Sequence, residues 1–311
     1  MTNSITKPRP DISVIIVNWN TRDMLADCID SIEQHADSLQ LEIIVVDNYS
    51  SDGSQAMLQE KYPHVWLIAN LDNVGFAKAN NLAMKVARGR YFLLWNSDAF
   101  AVPDSMQSLY RLAESQPNAG LIGAQLRNKD GTFQASHTLF PNLWQEFLIL
   151  TALGRKLHGN VYPSRGPEDE RGPQRVDYVE GACMLVRREA FQQVGGMDEG
   201  YFMYAEEVDW CFSLQTGGWQ VWYQPESKVT HLGGASSSGR RTKREGDLYR
   251  SRVRFFRKHY GNRQAQLLKG LIYGTTLAKT VVHGGLRMIT KGRIGRQVVT
   301  LSHLRKQLQD V

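Results

Sequence analysis

Apolar runs of strand length alternate with helix-period segments along the first third of the chain, and this alternation constrains the fold more than any other feature. Ile12–Asn18 and Leu41–Asp47 are almost uninterrupted apolar runs, as parallel strands covered on both faces require. Residues 65–69 and 91–95 supply two more. Between them, residues 22–35 carry Met24, Leu25, Cys28, Ile29 and Ile32 at helical spacing. Asp52 is placed to cap a helix ending before Pro63, residues 75–88 read as a helix, and residues 103–115 read as another with Pro103 in its first turn. Strands alternating with helices build an α/β, doubly wound, mostly parallel sheet. Such sheets bind ligands in the crevice beyond the carboxyl ends of their strands.

After Gln125 the pattern loosens. Residues 143–153 form an apolar helical stretch suited to covering a site or touching lipid, and residues 160–175, with three prolines and many charges, read as a mobile loop. Cys183–Arg187 reads as a strand, residues 189–194 and 206–215 as helices, and residues 219–231 as extended chain. Residues 233–246 read as a Gly/Ser-rich loop able to order over a ligand, followed by basic helices at 247–260 and 263–289.

The chain has 311 residues, 42% hydrophobic, enough for a full core plus an appendage. Its formal charge of +6 is unevenly spread, with Lys and Arg concentrated in residues 240–305. A basic end suits phosphate groups or an anionic membrane surface, and the plain alternative is a solvated helix face. Nucleic-acid binding would rest on this tail alone, and none is expected. Three cysteines without CxxC spacing favour neither a disulfide framework nor zinc, so a reduced, cytoplasmic setting is expected. Residues 1–11 are polar and do not read as a signal peptide. The longest apolar stretch, residues 267–289, is interrupted by Lys269, Lys279, His283 and Arg287; it suits peripheral contact with the inner face of a cell membrane better than a span.

Acidic residues follow three of the apolar runs. Asp47 ends the second strand, where a carboxylate accepts hydrogen bonds from a pyrimidine N–H or a ribose hydroxyl; capping a helix is the structural alternative. Asp98, in Asn96-Ser97-Asp98, suits a hard divalent ion bridging two phosphates, with Asn96 as a polar neighbour; a turn is the alternative. Glu206, Glu207 and Asp209 crowd one helix start beside aromatic residues. Crowding in a partly dry site raises a carboxyl pKa, which suits a general base, whereas acids in a first turn also simply favour the helix dipole. His231 precedes Leu232-Gly233-Gly234, a place for a metal or diphosphate contact.

Taken together, these residues resemble the family 2 glycosyltransferases. The resemblance rests on Val14-Ile15-Ile16-Val17-Asn18-Trp19-Asn20, on Val45-Val46-Asp47-Asn48 with Ser50, Asp52, Gly53 and Ser54, on Asn73, Gly75, Phe76, Ala77, Asn80 and Asn81, and on Leu94, Asn96 and Asp98. It continues through Glu180-Gly181-Ala182, Gly195-Gly196-Met197-Asp198-Glu199, Glu206-Glu207 with Asp209-Trp210-Cys211, and His231 with Gly233-Gly234. The pattern is most similar to the rhamnosyltransferase branch that builds bacterial cell-surface polysaccharides, and it covers about residues 11 to 260. It implies a GT-A catalytic domain over residues 11–246, a basic, membrane-associating helical extension over 247–311, and a Mg²⁺ or Mn²⁺ ion held by Asp98 and His231. It also implies inversion at the anomeric carbon. Asn18, Asn20, Asp47, Asn48, Asn73, Gly75, Lys78, Asn96 and Asp98 would line the nucleotide-sugar site. Gly181, Ala182 and Glu206 would meet the acceptor, and Glu207 or Asp209 would act as base. The donor implied is dTDP-rhamnose, with glucose, galactose or galactofuranose as alternatives, and the acceptor a glycan or a lipid-linked glycan. Arg250, Arg252 and Arg254 are placed to meet an acceptor diphosphate or to form a soluble helix face. Two departures stand out: Asn96 replaces the first carboxylate of an Asp-x-Asp, and Glu207 stands where many relatives have Asp. A silent sugar-nucleotide-binding protein is the rival reading, against which Asp98, Glu207, Asp209 and His231 argue together.

Overall fold

A computed structural model describes residues 9–164, 172–233, 241–289 and 301–309. The chain divides into two compact units. The first comprises residues 1–139, 164–200 and 207–236, and contains every strand among the described residues.

Its strands are β1 (Ile12–Asn18), β2 (Leu41–Asp47), β3 (Trp66–Ala69), β4 (Tyr91–Asn96), β5 (Ala99–Ala101), β6 (Ala119–Arg127), β7 (His137–Thr138), β8 (Gln174–Arg175), β9 (Tyr178–Val179), β10 (Cys183–Arg187) and β11 (Gln220–His231). Nine form one sheet in the order β3-β2-β1-β4-β10-β6-β11-β5, with β8 paired to β11; β7 and β9 form a separate ribbon. β1, β2, β3 and β4 are mutually parallel, β11 runs parallel to β6, and β10 lies antiparallel between β4 and β6. β1 and β2 are buried along nearly their whole length, which is why their sequences read as continuous apolar runs rather than alternating ones.

Helices α1 (Arg22–Gln34), α2 (Ser54–Lys61), α3 (Phe76–Val86) and α4 (Ser105–Ser115) follow β1, β2, β3 and β5. α1 buries Leu25, Cys28, Ile29 and Ile32, an i, i+3, i+4, i+7 stripe, and each fully buried Leu or Ile contributes about 1.5–3 kcal/mol relative to exposure. Pro103 lies outside α4, which starts after Asp104 (φ 65°). Asp52 does not cap α2 from the N-cap position, because Gly53 (φ 86°) occupies it. Its Oδ1 accepts from the Ser54 amide (3.1 Å) and its Oδ2 from the Arg22 amide (2.8 Å), so one side chain ties the starts of α1 and α2. All three cysteines are buried as free thiols, and burial raises their pKa, which leaves them unreactive.

The long central strand β6 carries Gly120 and Gly123, residues that weaken any strand reading. Packing explains them. A Cβ on Gly123 would stand 2.5 Å from Val179 Cβ, and one on Gly120 would stand 2.7 Å from Trp219 Cβ. β11 shifts register between Gln224 and Lys228, where Pro225 has no amide to give to a ladder.

The second unit comprises residues 140–163, 201–206 and 237–311. Here α5 (Leu143–Leu150) and α6 (Leu153–His158) pack together in place of one apolar helix, separated at Ala152 (φ 60°). Arg241–Ile289 forms α9, interrupted at Gly261 (φ 85°, ψ 168°), and Leu301–Leu308 forms α10. The helix therefore begins at Arg241, inside the expected 233–246 loop; residues 234–240 of that loop, 165–171 of the 160–175 loop and 1–8 of the amino end lie outside the described residues. Arg252 does not stand free for an acceptor. Its Nη1 pairs with Glu146 Oε2 at 2.8 Å, with both side chains largely buried. Arg254 lies over the Tyr201 ring at 5.2 Å. Among the described residues, no helix is long and apolar enough to cross a membrane.

Candidate active site

In-register pairing sets Asn18 opposite Asp47 and Val17 opposite Asn96, so β1, β2 and β4 deliver polar residues to one carboxyl edge. β1 lies between β2 and β4, where the strand order reverses, the usual position of a ligand crevice. Asn18 Nδ2 donates to Asp47 Oδ2 (2.8 Å) and Ser50 Oγ (3.1 Å), while its Oδ1 accepts from Thr21 Oγ1 (2.6 Å). Asp47 Oδ1 accepts from the Ser50 amide (3.0 Å) and from Gln55 Nε2 (2.7 Å). Asp47 is thus buried with donors on both oxygens.

Asn20 and Tyr49 both adopt left-handed backbone (φ 52° and 66°), an uncommon conformation that concentrates at binding sites. Asn20 is held there because its amide donates to Ser50 Oγ (2.9 Å) and its Oδ1 accepts from the Ser51 amide (2.7 Å). Asn48 Nδ2 donates to the Gly75 carbonyl (3.3 Å), and Asn73 Oδ1 accepts from the Gly75 amide (3.0 Å). These contacts fix the start of α3, on which Lys78 is exposed.

The next cluster joins β4 to the end of β11. His231 Nε2 lies 3.3 Å from Asp98 Oδ1 and 3.4 Å from Asn96 Nδ2. On its other side, His231 Nδ1 donates to Gln134 Oε1 at 2.6 Å. The Gln134 amide is itself oriented, because its Nε2 donates to Asn128 Oδ1 (3.0 Å) and to the His231 carbonyl (3.2 Å). Nδ1 therefore carries a proton, and Nε2 is the ring nitrogen turned toward Asp98. One carboxylate oxygen and one imidazole nitrogen on a shared side are a donor set that fits a divalent ion completed by diphosphate oxygens and water. Among the described residues, no cluster of three or more His, Cys, Asp or Glu could hold a metal by itself.

β10 connects this edge to the acidic helix α8 (Glu206–Thr216), preceded by the short α7 (Arg188–Val194). The Asn96 amide donates to the Ala182 carbonyl (3.0 Å). A Cβ on the neighbouring Gly181 would lie 3.8 Å from Glu207 Cβ and Cγ, so Gly181 backs directly on Glu207. Ala182 packs its methyl into the core and presents only backbone to the edge. Of the three acids, Glu207 alone is part-exposed, whereas Glu206 and Asp209 are buried. Burial pushes the Glu206 carboxyl up to about 7, and its Oε2 has no hydrogen-bond partner; desolvation, rather than crowding by like charges, is the leading cause. Tyr204 and Ala205, immediately ahead of it, are both left-handed (φ 73° and 63°).

Sequence reasoning missed Gln134, Gln55 and Thr21, which are polar residues of loops and helix starts with no periodicity to mark them, and named Ser50 only as part of the family pattern. Asn81 entered the sequence analysis only as part of the family pattern. In the structure Asn81 fastens a turn: its Nδ2 donates to the Met197 carbonyl (2.8 Å) and Glu199 Oε1 (3.1 Å), and its Oδ1 accepts from the Met197 amide (3.0 Å).

Residues 13–195 match Glycosyl transferase family 2, and the chain belongs to that family. Its fold is GT-A, and within the family it is rhamnosyltransferase-like. The N-acetylglucosaminyl-diphospho-decaprenol L-rhamnosyltransferase of Mycobacterium tuberculosis is 32% identical over 213 residues, covering 64% of this chain and 69% of that protein. The rhamnosyltransferase WbbL of Escherichia coli is 27% identical over 234 residues, covering 71% of this chain and 83% of that protein. Among solved structures, GalNAc-T7 with UDP, GalNAc and Mn²⁺ superposes with a TM-score of 0.60 at 14% identity, covering 98% of this chain and 55% of that one. At that identity the likeness concerns the fold.

Proposed function

We propose that the protein is an inverting, metal-dependent rhamnosyltransferase that moves L-rhamnose from dTDP-β-L-rhamnose to a sugar on a polyprenyl diphosphate in cell-surface glycan synthesis. The observation that carries the reading is the short path along one sheet edge, from the Asp98–His231 pair through the Asn96–Ala182 hydrogen bond and Gly181 to the part-exposed Glu207. The names of the two bacterial relatives support rhamnose as the sugar.

In this mechanism Asp47 accepts from the nucleoside in place of the Gln55 amide, and the Asn18–Asp47, Asn20–Ser50 and Asn48–Gly75 contacts hold the walls of the donor crevice. Asp98 and His231 would hold Mg²⁺ or Mn²⁺, which when bound would offset charge on the leaving diphosphate. Glu207 accepts the acceptor hydroxyl proton as that oxygen attacks the anomeric carbon from the face opposite the diphosphate. The carbon–oxygen bond to phosphate breaks, and the product is an α-L-rhamnoside. Asp209 supports α8 from below the surface. Glu206, with its carboxyl raised to about 7, is part-protonated at neutral pH and in its protonated form meets the acceptor as a hydrogen-bond donor.

The test is transfer from a panel of nucleotide sugars to a short GlcNAc-diphospho-lipid, scoring diphosphate release and glycolipid mass. Deoxyhexose gain only with dTDP-rhamnose, lost with chelator and in Glu207→Gln, is the expected result. Transfer from another donor would retain the mechanism and remove rhamnose. Transfer that survives both chelator and Glu207→Gln would remove the mechanism.

A further inference from the structure

The excursion Phe140–Pro163 in the second unit has an unusual surface. Asn142 Oδ1 caps α5 by accepting from the Gln145 amide (2.9 Å), and α5 turns Glu146, Leu148 and Leu150 inward. Trp144 faces outward at 66% exposure, stacked on Phe147 with ring centroids 5.4 Å apart. The chain then breaks at Ala152, and in α6 only Gly154 is buried, pressed against the Tyr162 ring where no Cβ fits. Leu153 and Leu157, one helical turn apart, are 39% and 67% exposed. Around them stand Arg155, Lys156 and His158, all exposed.

The charge balance of this excursion is one-sided. Its single acid, Glu146, is buried against Arg252, so every exposed ionisable group it offers is basic. A solvated protein surface interleaves both signs and keeps Trp and Leu apart. An outward tryptophan, a leucine pair and flanking Arg and Lys without acids instead match the interfacial zone of an anionic bilayer, where indole sits at headgroup depth and long basic side chains reach phosphate. We infer that the α5–α6 hairpin is the membrane-docking element of this protein, inserting Trp144, Leu153 and Leu157 among lipid headgroups while Arg155 and Lys156 engage their phosphates. The basic carboxyl-terminal residues 290–311 are then not required for attachment. The inference is independent of the donor sugar, and it rests on the proposed function only in that a lipid-linked acceptor gives the contact its use.

The test is co-sedimentation of the full chain with phosphatidylcholine vesicles with and without phosphatidylglycerol. Wild type is expected to pellet with the anionic vesicles and not with the neutral ones. Trp144→Ser/Leu157→Ser and, separately, Arg155→Glu/Lys156→Glu are expected to weaken binding at least about tenfold. Both variants should keep the wild-type melting temperature and wild-type transfer to a water-soluble acceptor, while removal of residues 290–311 leaves vesicle binding in place. Absence of vesicle binding in the wild type would overturn the inference, as would full binding by both double variants or loss of binding only on truncation. Failure of the proposed function would appear separately, as absent transfer to the soluble acceptor.

Discussion

Gln134 and His231 hold each other from both ends: the imidazole Nδ1 donates to the Gln134 side-chain oxygen at 2.6 Å, and the Gln134 amide nitrogen donates to the His231 carbonyl at 3.2 Å. The ring cannot turn without losing a hydrogen bond, and its Nε2 stays aimed at Asp98. Gln134→Leu keeps the volume and removes that orientation. Mn²⁺ affinity, measured by titration calorimetry with nucleoside diphosphate present, is expected to fall about 10–100-fold. Unchanged affinity would show that His231 is not a ligand or needs no such support.

Exposure separates the two candidate bases. Glu207 is part-exposed and rests on Gly181, whereas Asp209 is 1% exposed. Glu207→Gln should lower kcat by about 10²–10⁴ while nucleotide binding persists. Asp209→Asn should instead cost about 1–3 kcal/mol of stability with turnover by the folded protein retained. The reverse pattern in a paired kinetic and melting comparison would assign the proton to Asp209.

The Glu146–Arg252 pair is buried, and desolvation raises the Glu146 carboxyl even beside its guanidinium partner. Arg252→Met leaves that carboxyl unpaired and is expected to cost about 3–5 kcal/mol, read from the urea midpoint. Glu146→Leu/Arg252→Met should recover most of the loss. A double variant as unstable as the single one would mean that packing by Arg252, not its charge, matters.

Glu206 links stability to pH. Its folded carboxyl titrates near 7 against an ordinary value of 4.5, so the folded state holds a proton that the unfolded state releases between those values. Its contribution is therefore full below the ordinary value and is lost as pH rises through about 7. Glu206→Gln stays neutral throughout, so relative to wild type it should gain up to about 3 kcal/mol on going from acid to mildly alkaline buffer. Melting curves across that range that run parallel for the two proteins would exclude the linkage.

The donor half was legible because its strands are buried on both faces and its acids end them: β1, β2, β4 and β10 lie where the apolar runs predict. β6 was not legible, since Gly120 and Gly123 answer to Trp219 and Val179, residues distant in sequence. Gln134 was illegible for a similar reason, because its partner lies across a loop and its type carries no signal alone. The apolar stretch of residues 143–153 was seen, but its break at Ala152 was not, because alanine is the residue least expected to leave a helix.

The antiparallel course of β10 has a consequence for how such enzymes diversify. Because it enters the sheet at the carboxyl edge, Gly181 and Ala182 arrive beside β4 from a separate stretch of chain, joined to it there by the Asn96–Ala182 hydrogen bond. Insertions or exchanges ahead of β10 leave the β1–β2 and β1–β4 registers untouched. A lineage built this way can change what stands beside β4 at the carboxyl edge while inheriting the β1–β2 edge unchanged.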